Sequence, residues 1–141
     1  MPNHFHLLVK QVDKSSIENG IPNLMKRLTI TYAMFAKKKY DRFGVLFEGK
    51  YKNILVDSER QLLQLTKYIH LNPKEIIGSK PLTKYEFSSY PCYVGVVNRP
   101  KWLNNNEILK FFALSNPSLS YRKFVEEISF NPDLINNVSM D

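Results

Sequence analysis

Cysteine is nearly absent from the chain: Cys92 is the only one among 141 residues. An internal disulfide and a metal cluster built from several cysteines are therefore excluded, and a reducing compartment suits the chain. Long apolar runs are also missing, since no uninterrupted apolar stretch reaches the roughly 20 residues that span a bilayer. The N-terminus has no basic-then-apolar signal pattern. We therefore expect a cytoplasmic protein with no membrane partner.

Acidic residues are in the minority. Asp and Glu total 13 against 20 Lys and Arg, which gives a net charge of +7 and a pI near 9.5. This balance favours a polyanionic partner such as nucleic acid, although charge alone leaves simple solubility open. Hydrophobic residues make up 43% of the chain, enough for a packed core. We expect one domain over residues 1–141.

Histidine is scarce as well, and two of the three histidines form the pair His4 and His6. The short apolar segment 5–9 follows Pro2-Asn3, a pair with turn chemistry, which predicts a strand. Alternate side chains of a strand share a face, so the two imidazoles would converge and hold one divalent ion. A His-x-His pair by itself is more often a surface or hydrogen-bonded feature.

Hydrophobic periodicity predicts the other elements. An amphipathic helix with a basic exposed face is predicted over 23–39, with Leu24, Leu28, Tyr32 and Phe35 as its apolar stripe, and a second strand over 49–56. Ser58 and Gln61 form a capping box that begins another helix, which Pro73 ends. Two short helices are predicted near Asn105 and from about Ser118, the latter with an apolar stripe that reaches Ile128. The tail after Pro132 is expected to fray.

The middle helix carries a candidate nucleophile. Tyr68 and Asn72 lie at i and i+4, one helical turn apart on the same side, in a polar row with Gln61 and Gln64. Most helical tyrosines are packing residues, and a free phenol with a pKa of about 10 needs a cation to become nucleophilic. If the histidine strand packs on this helix, an ion bound by the imidazoles and Asn72 would hold a phosphate near the phenol. The expected outcome is in-line attack and a covalent phosphotyrosine, with His70 pointing away in a structural role.

Basic and aromatic residues are interleaved upstream of this helix. Cations neutralise phosphates and exposed rings stack on unpaired bases, a combination typical of single-strand binding. A solvated helix face with core aromatics is the alternative. The candidate DNA-binding residues are Lys26, Arg27, Lys37, Lys38, Arg42, Phe47, Lys50, Tyr51 and Lys52.

Five blocks, taken in order and spacing, resemble the REP-associated tyrosine transposases of the HUH single-tyrosine transposase family. They are Met-Pro-Asn-His-Phe-His-Leu-Leu-Val from Met1, Phe-Glu-Gly-Lys-Tyr-Lys within 44–52, Tyr-Ile-His-Leu-Asn-Pro from Tyr68, Phe-Ser-Ser-Tyr from Phe87, and Tyr-Arg-Lys-Phe-Val-Glu-Glu from Tyr121. The resemblance covers nearly the whole chain. In that family the first block follows a strand, a helix and another strand, so we expect this chain to be N-terminally truncated. Lys74-Glu75-Ile76 stands where the family usually has Val-Arg-Ala.

The resemblance implies an α/β protein of the α+β type: a ferredoxin-like antiparallel sheet with helices in a core over 1–78, and a helical C-terminal extension over 79–141. It implies cleavage and joining of single-stranded DNA beside a hairpin. By the family pattern, His4, His6 and Asn72 bind Mg²⁺ or Mn²⁺, and Tyr68 forms a 5′-phosphotyrosine link. The released 3′-hydroxyl is kept for rejoining, so ATP is not needed.

Three hypotheses follow from these patterns. The first is a metal-dependent transposase-type DNA nuclease and strand transferase that is truncated at its N-terminus, with monomer and homodimer both left open. The second is a catalytically inactive DNA-binding remnant that cannot hold the ion. The third is an RNA-binding domain of similar topology in which the histidine pair is incidental, but such a domain does not need Tyr68 and Asn72 at helical spacing.

Overall fold

The computed structural model describes residues 3–12 and 20–127. Its regular structure in these ranges is helical: α1 (Ile21–Tyr40), α2 (Glu59–Leu71), α3 (Lys74–Ile77), a 3₁₀ helix (Leu82–Lys84), α4 (Tyr90–Tyr93), α5 (Asn106–Leu109) and α6 (Pro117–Glu126). The predicted helices over 23–39, after Ser58, near Asn105 and from about Ser118 are thereby confirmed. The predicted stripe residue Ile128 and the predicted frayed tail after Pro132 lie outside the described residues.

The described residues contain no strand, so the predicted ferredoxin-like antiparallel sheet is wrong. The segments 5–9 and 49–56 have strand-type sequences, and both are without regular structure. A strand exists only where a second segment supplies a ladder of N–H and C=O groups. Composition and alternation suit a segment to such a ladder, but they do not provide its partner.

The helix α1 begins with proline in its first turn and ends at Asp41, whose φ of 47° lies in the left-handed region. Three consecutive lysines in its last turn suit the negative end of the helix dipole. The predicted apolar stripe is not buried, because Leu24, Leu28, Tyr32 and Phe35 each expose between 40% and 51% of their surface. Met25 and Ala36 are the buried residues of this helix.

Local side-chain contacts define both ends of α2. The Ser58 hydroxyl accepts a hydrogen bond from the Gln61 N–H at 3.2 Å, and the Gln61 side chain accepts one from the Asp57 N–H at 3.0 Å. At the other end, Asn72 keeps helical angles and its N–H donates to the Tyr68 carbonyl. The predicted end is therefore right, but the expected reason, that the residue before a proline leaves helical geometry, does not hold for Asn72. Pro73 interrupts the helix because it has no N–H to donate.

The chain divides into two compact units, Leu7–Asn53 and Met1–His6 together with Ile54–Asp141. We call these the basic unit and the histidine unit. In the histidine unit α2 packs on α6, and α5 also packs on α6. Its core consists of Leu82, Tyr90, Tyr93, Ile108, Tyr121 and Val125.

The predicted division into a core over 1–78 and an extension over 79–141 stays a prediction. A membrane-crossing helix is not found in the part of the chain that the structure describes, since no helix there is both long and apolar enough.

Candidate functional site

The imidazoles of His4 and His6 converge as the sequence predicts. Their ring centroids lie 5.0 Å apart with an interplanar angle of 80°, and both side chains are half-buried. Alternate residues share a face in any extended segment, whether or not it is paired in a sheet. The convergence of the two rings therefore does not require the predicted strand.

Asn3 orients the first of these rings. Its Oδ1 accepts a hydrogen bond from Nδ1 of His4 at 2.8 Å. An imidazole that donates from Nδ1 carries its lone pair on Nε2 when it is neutral, which leaves Nε2 to act as a ligand. Nε2 is buried in both His4 and His6.

Tyr68 contacts the second ring. The centroids of His6 and Tyr68 are 5.6 Å apart, with the rings in an edge-on arrangement at 69°. All three residues belong to the histidine unit. The proximity on which the sequence hypothesis depends is therefore present within one compact body.

Two amides lie one turn on either side of Tyr68 along α2. Helical spacing places Gln64 and Asn72 near the same face as Tyr68. Asn72 Nδ2 and Gln64 Oε1 are buried without a hydrogen-bond partner among the described residues. Leaving a buried polar atom unsatisfied costs about 1–3 kcal/mol, so each of these atoms is a candidate for contact with water or a bound polar ligand.

The centroid separation of the imidazole pair is compatible with one shared ion. An ion about 2.1 Å from one nitrogen of each ring, at ligand angles of about 90–110°, holds the centroids roughly 4.6–5.3 Å apart, and the observed separation is 5.0 Å. The described residues contain no group of three or more His, Cys, Asp and Glu side chains suited to a metal. A third protein ligand would therefore be an amide oxygen, such as that of Asn72. Imidazole and amide donors suit Mn²⁺ better than Mg²⁺, which prefers an all-oxygen shell.

His70 has a different environment, in the core. Its Nδ1 lies 2.6 Å from the Tyr121 hydroxyl and its Nε2 lies 2.8 Å from the Ser89 hydroxyl. The rings of Tyr90, Tyr93 and Tyr121 surround it. Burial lowers the pKa of His70 to about 3, so the ring is neutral at physiological pH.

The candidate DNA-binding residues all lie in the basic unit. Phe47 is half-buried and the other eight are exposed: Lys26, Arg27, Lys37, Lys38, Arg42, Lys50, Tyr51 and Lys52. The Tyr32 ring lies 6.1 Å from that of Phe47, and Lys37 Nζ lies 6.0 Å from the centre of the Phe43 ring. A cavity of about 180 Å³ is lined by Lys37 and Arg42 together with Ala33, Met34, Ala36, Gly44 and Leu46. Cations and rings are thus adjacent in the basic unit.

Sequence reasoning missed two residues of the histidine unit, one beside His4 and one on another face of α2. The sequence predicts only a turn at Asn3, although an amide beside a histidine of a metal-type pair is a recognisable orienting group. Lys67 was not considered, and its spacing of i and i+3 from His70 is a signal that both lie on one face of α2.

Comparison with known protein families, with curated proteins and with solved structures found no match.

Proposed function

We propose that this chain cleaves and rejoins single-stranded DNA in a metal-dependent reaction, with Tyr68 as the nucleophile and a 5′-phosphotyrosine intermediate. The observation that carries the proposal is the contact of Tyr68 with His6, which itself contacts His4. A candidate metal pair and a candidate nucleophile are thereby adjacent. The resemblance of five sequence blocks to tyrosine transposases supports the same reaction.

His4, His6 and Asn72 would hold a divalent ion, with Mn²⁺ or Mg²⁺ as the candidates. Such an ion supplies a Lewis acid that polarises a phosphate oxygen. Asn3 holds the His4 ring so that Nε2 faces inward as a ligand. The buried Gln64 amide offers a polar contact beside Tyr68.

Tyr68 performs the bond exchange. Its phenol loses a proton and the oxygen attacks phosphorus, forming a Tyr68 O–P bond while the bond from phosphorus to the 3′-oxygen breaks. The departing oxygen takes up a proton and becomes a 3′-hydroxyl. Attack by a 3′-hydroxyl on the phosphotyrosine reverses these changes, so the energy of the phosphodiester is conserved and no nucleotide cofactor is consumed.

The experiment is a trapping assay. The full chain is incubated with Mn²⁺ and a labelled, hairpin-bearing single strand, and a protein–DNA adduct that resists denaturation is sought on a gel. Tyr68→Phe should abolish the adduct while leaving DNA binding within about twofold, because only the nucleophilic oxygen is removed. The matched control is Tyr85→Phe, which removes the hydroxyl of another half-buried tyrosine of the same unit and should leave adduct formation intact.

Two results would overturn the proposal. An adduct that persists in Tyr68→Phe would assign the nucleophile elsewhere. No adduct with the wild-type chain, together with salt-sensitive DNA binding and no Mn²⁺ binding, would establish instead the catalytically inactive DNA-binding remnant.

A further inference from the structure

A face of α2 that does not include Tyr68 carries polar residues that are buried. Lys67 and His70 each expose 2% of their surface. At about 100° per residue, Lys67 lies roughly 100° and His70 roughly 160° from Tyr68 around the helix axis, and the two are about 60° apart. Burying a lysine and a histidine costs free energy unless both are hydrogen-bonded. Their hydrogen-bond partners therefore determine the orientation of this face of α2.

Lys67 is held by the end of α6. Its Nζ donates a hydrogen bond to the Glu127 carbonyl at 3.0 Å and lies 5.0 Å from the centre of the Phe124 ring. Glu127 caps the C-terminus of α6, where the carbonyls carry partial negative charge. Burial lowers the pKa of Lys67, and the Glu127 carboxylate opposes this change.

His70 is held by the middle of α6. The Tyr121 hydroxyl lies 2.6 Å from its Nδ1. Tyr121 is fully buried, and its ring also packs edge-on against that of His70, with centroids 5.7 Å apart. One helix therefore meets both polar residues on the hidden face of α2.

We propose that α6 positions Tyr68, with Tyr121 and Lys67 as the positioning residues; this inference rests on the proposed function. Apolar packing tolerates small rotations of a helix, whereas two buried hydrogen bonds to one neighbouring helix are kept together only over a narrow range of rotation. Rotating α2 by about 20° moves a side-chain atom about 6 Å from its axis by roughly 2 Å. Misplacing a reacting atom by about 1 Å costs up to about 100-fold in rate. The α6 contacts thus hold the phenol at its distance from the imidazole pair.

The test compares two hydroxyl deletions in the same core. Tyr121→Phe removes the bond between α6 and His70 of α2. Tyr90→Phe removes a bond that the Tyr90 hydroxyl donates to Glu126, also in α6, at 2.7 Å, and this bond does not join α6 to α2. We expect Tyr121→Phe to lower the rate of adduct formation at saturating DNA about tenfold, with DNA affinity within about twofold. Tyr90→Phe should keep the wild-type rate, even if both variants lose similar stability.

A second measurement does not depend on activity. With three histidines in the chain, the imidazole proton resonances of His6 are assigned from the spectrum of His6→Gln. The Tyr68 ring lies close enough to shift them. Tyr121→Phe and Lys67→Met should both change these shifts, and Tyr90→Phe should not. Lys67→Met keeps the length of the side chain and removes the cation, so it tests the positioning even if Tyr121→Phe does not fold.

The two arms separate this inference from the proposed function. If the wild-type chain forms no adduct, the proposed function fails, and the His6 resonances alone then decide whether α6 positions Tyr68. Equal rates in Tyr121→Phe and Tyr90→Phe, or His6 resonances that stay unchanged in both Tyr121→Phe and Lys67→Met, overturn the inference.

Discussion

Asn3 Oδ1 accepts a hydrogen bond from Nδ1 of His4 at 2.8 Å. This contact selects the tautomer of His4 in which the buried Nε2 carries the lone pair. In the proposed metal site, this amide would orient His4 as a ligand. The contact has a measurable consequence, because orienting groups of this kind contribute to metal affinity.

Replacing Asn3 should weaken metal binding. We expect Asn3→Ala to raise the Kd for Mn²⁺ about tenfold, since the His4 ring then loses the hydrogen bond that selects its tautomer. Isothermal titration or the relaxation of water protons by Mn²⁺ measures this. Asn53→Ala, an exposed asparagine of the other unit, is the control and should bind as the wild type does. Equal affinities of Asn3→Ala and wild type would show that Asn3 does not orient a ligand.

The basic unit should determine the salt dependence of DNA binding. Lys37 and Arg42 line one cavity, and each phosphate contact that is lost reduces the slope of log Kd against log salt by about 0.7 for a single strand. Lys37→Gln and Arg42→Gln should each show this reduction in fluorescence anisotropy titrations over a range of salt. Lys110→Gln is the control, because Lys110 already pairs with Glu107 at 3.1 Å, and its slope should not change. A slope that is unchanged in all three variants would place the DNA elsewhere.

The buried His70 should make the histidine unit sensitive to acid. Its pKa is about 3 in the folded chain against 6.5 ordinarily. Below about pH 6.5 the unfolded chain therefore binds a proton that the folded chain does not, and stability falls as the pH decreases. The loss is up to about 1.4 kcal/mol per pH unit until the pH approaches the folded pKa. No neighbouring ring opposes this effect, since burial keeps Tyr93 neutral with a pKa of about 12 and raises that of Tyr121.

The measurement is denaturant unfolding in buffers at about pH 7.5, 6, 5 and 4, which cover that window. Carboxylates contribute equally to the wild type and to His70→Gln, so the difference between the two curves reports the imidazole alone. That difference should shrink as the pH falls. Parallel curves would show that folding leaves the pKa of His70 unchanged.

The N-cap of α2 should contribute a modest, local stabilisation. Ser58 accepts a hydrogen bond from the Gln61 N–H, and losing an N-cap oxygen costs about 1 kcal/mol. Ser58→Ala should lower the free energy of unfolding by this amount, whereas Ser79→Ala, at an exposed position in a turn, should lower it by less than about 0.5 kcal/mol. Equal effects would show that the cap is not formed in solution.

Local signals predicted most of the helical structure. The cap at Ser58, the interruption at Pro73 and the apolar spacing from about Ser118 depend on residues within four positions of one another, and each marks a helix that is present. The alternation of His4 and His6 is also local, so it holds without a sheet. The excess of basic over acidic residues follows from the sequence alone, whatever the fold.

Long-range contacts decided what the sequence did not reveal. Strand-type sequence at 5–9 and 49–56 does not make a sheet, because a ladder needs a partner that neither segment contains within itself. The stripe of α1 remains exposed, since burial depends on what packs against a helix and not on its periodicity. Only the tertiary structure joins Lys67 and His70 to α6 and brings His6 to Tyr68. These pairs are separated by more than 50 residues, and such contacts arise from the packing of the whole chain.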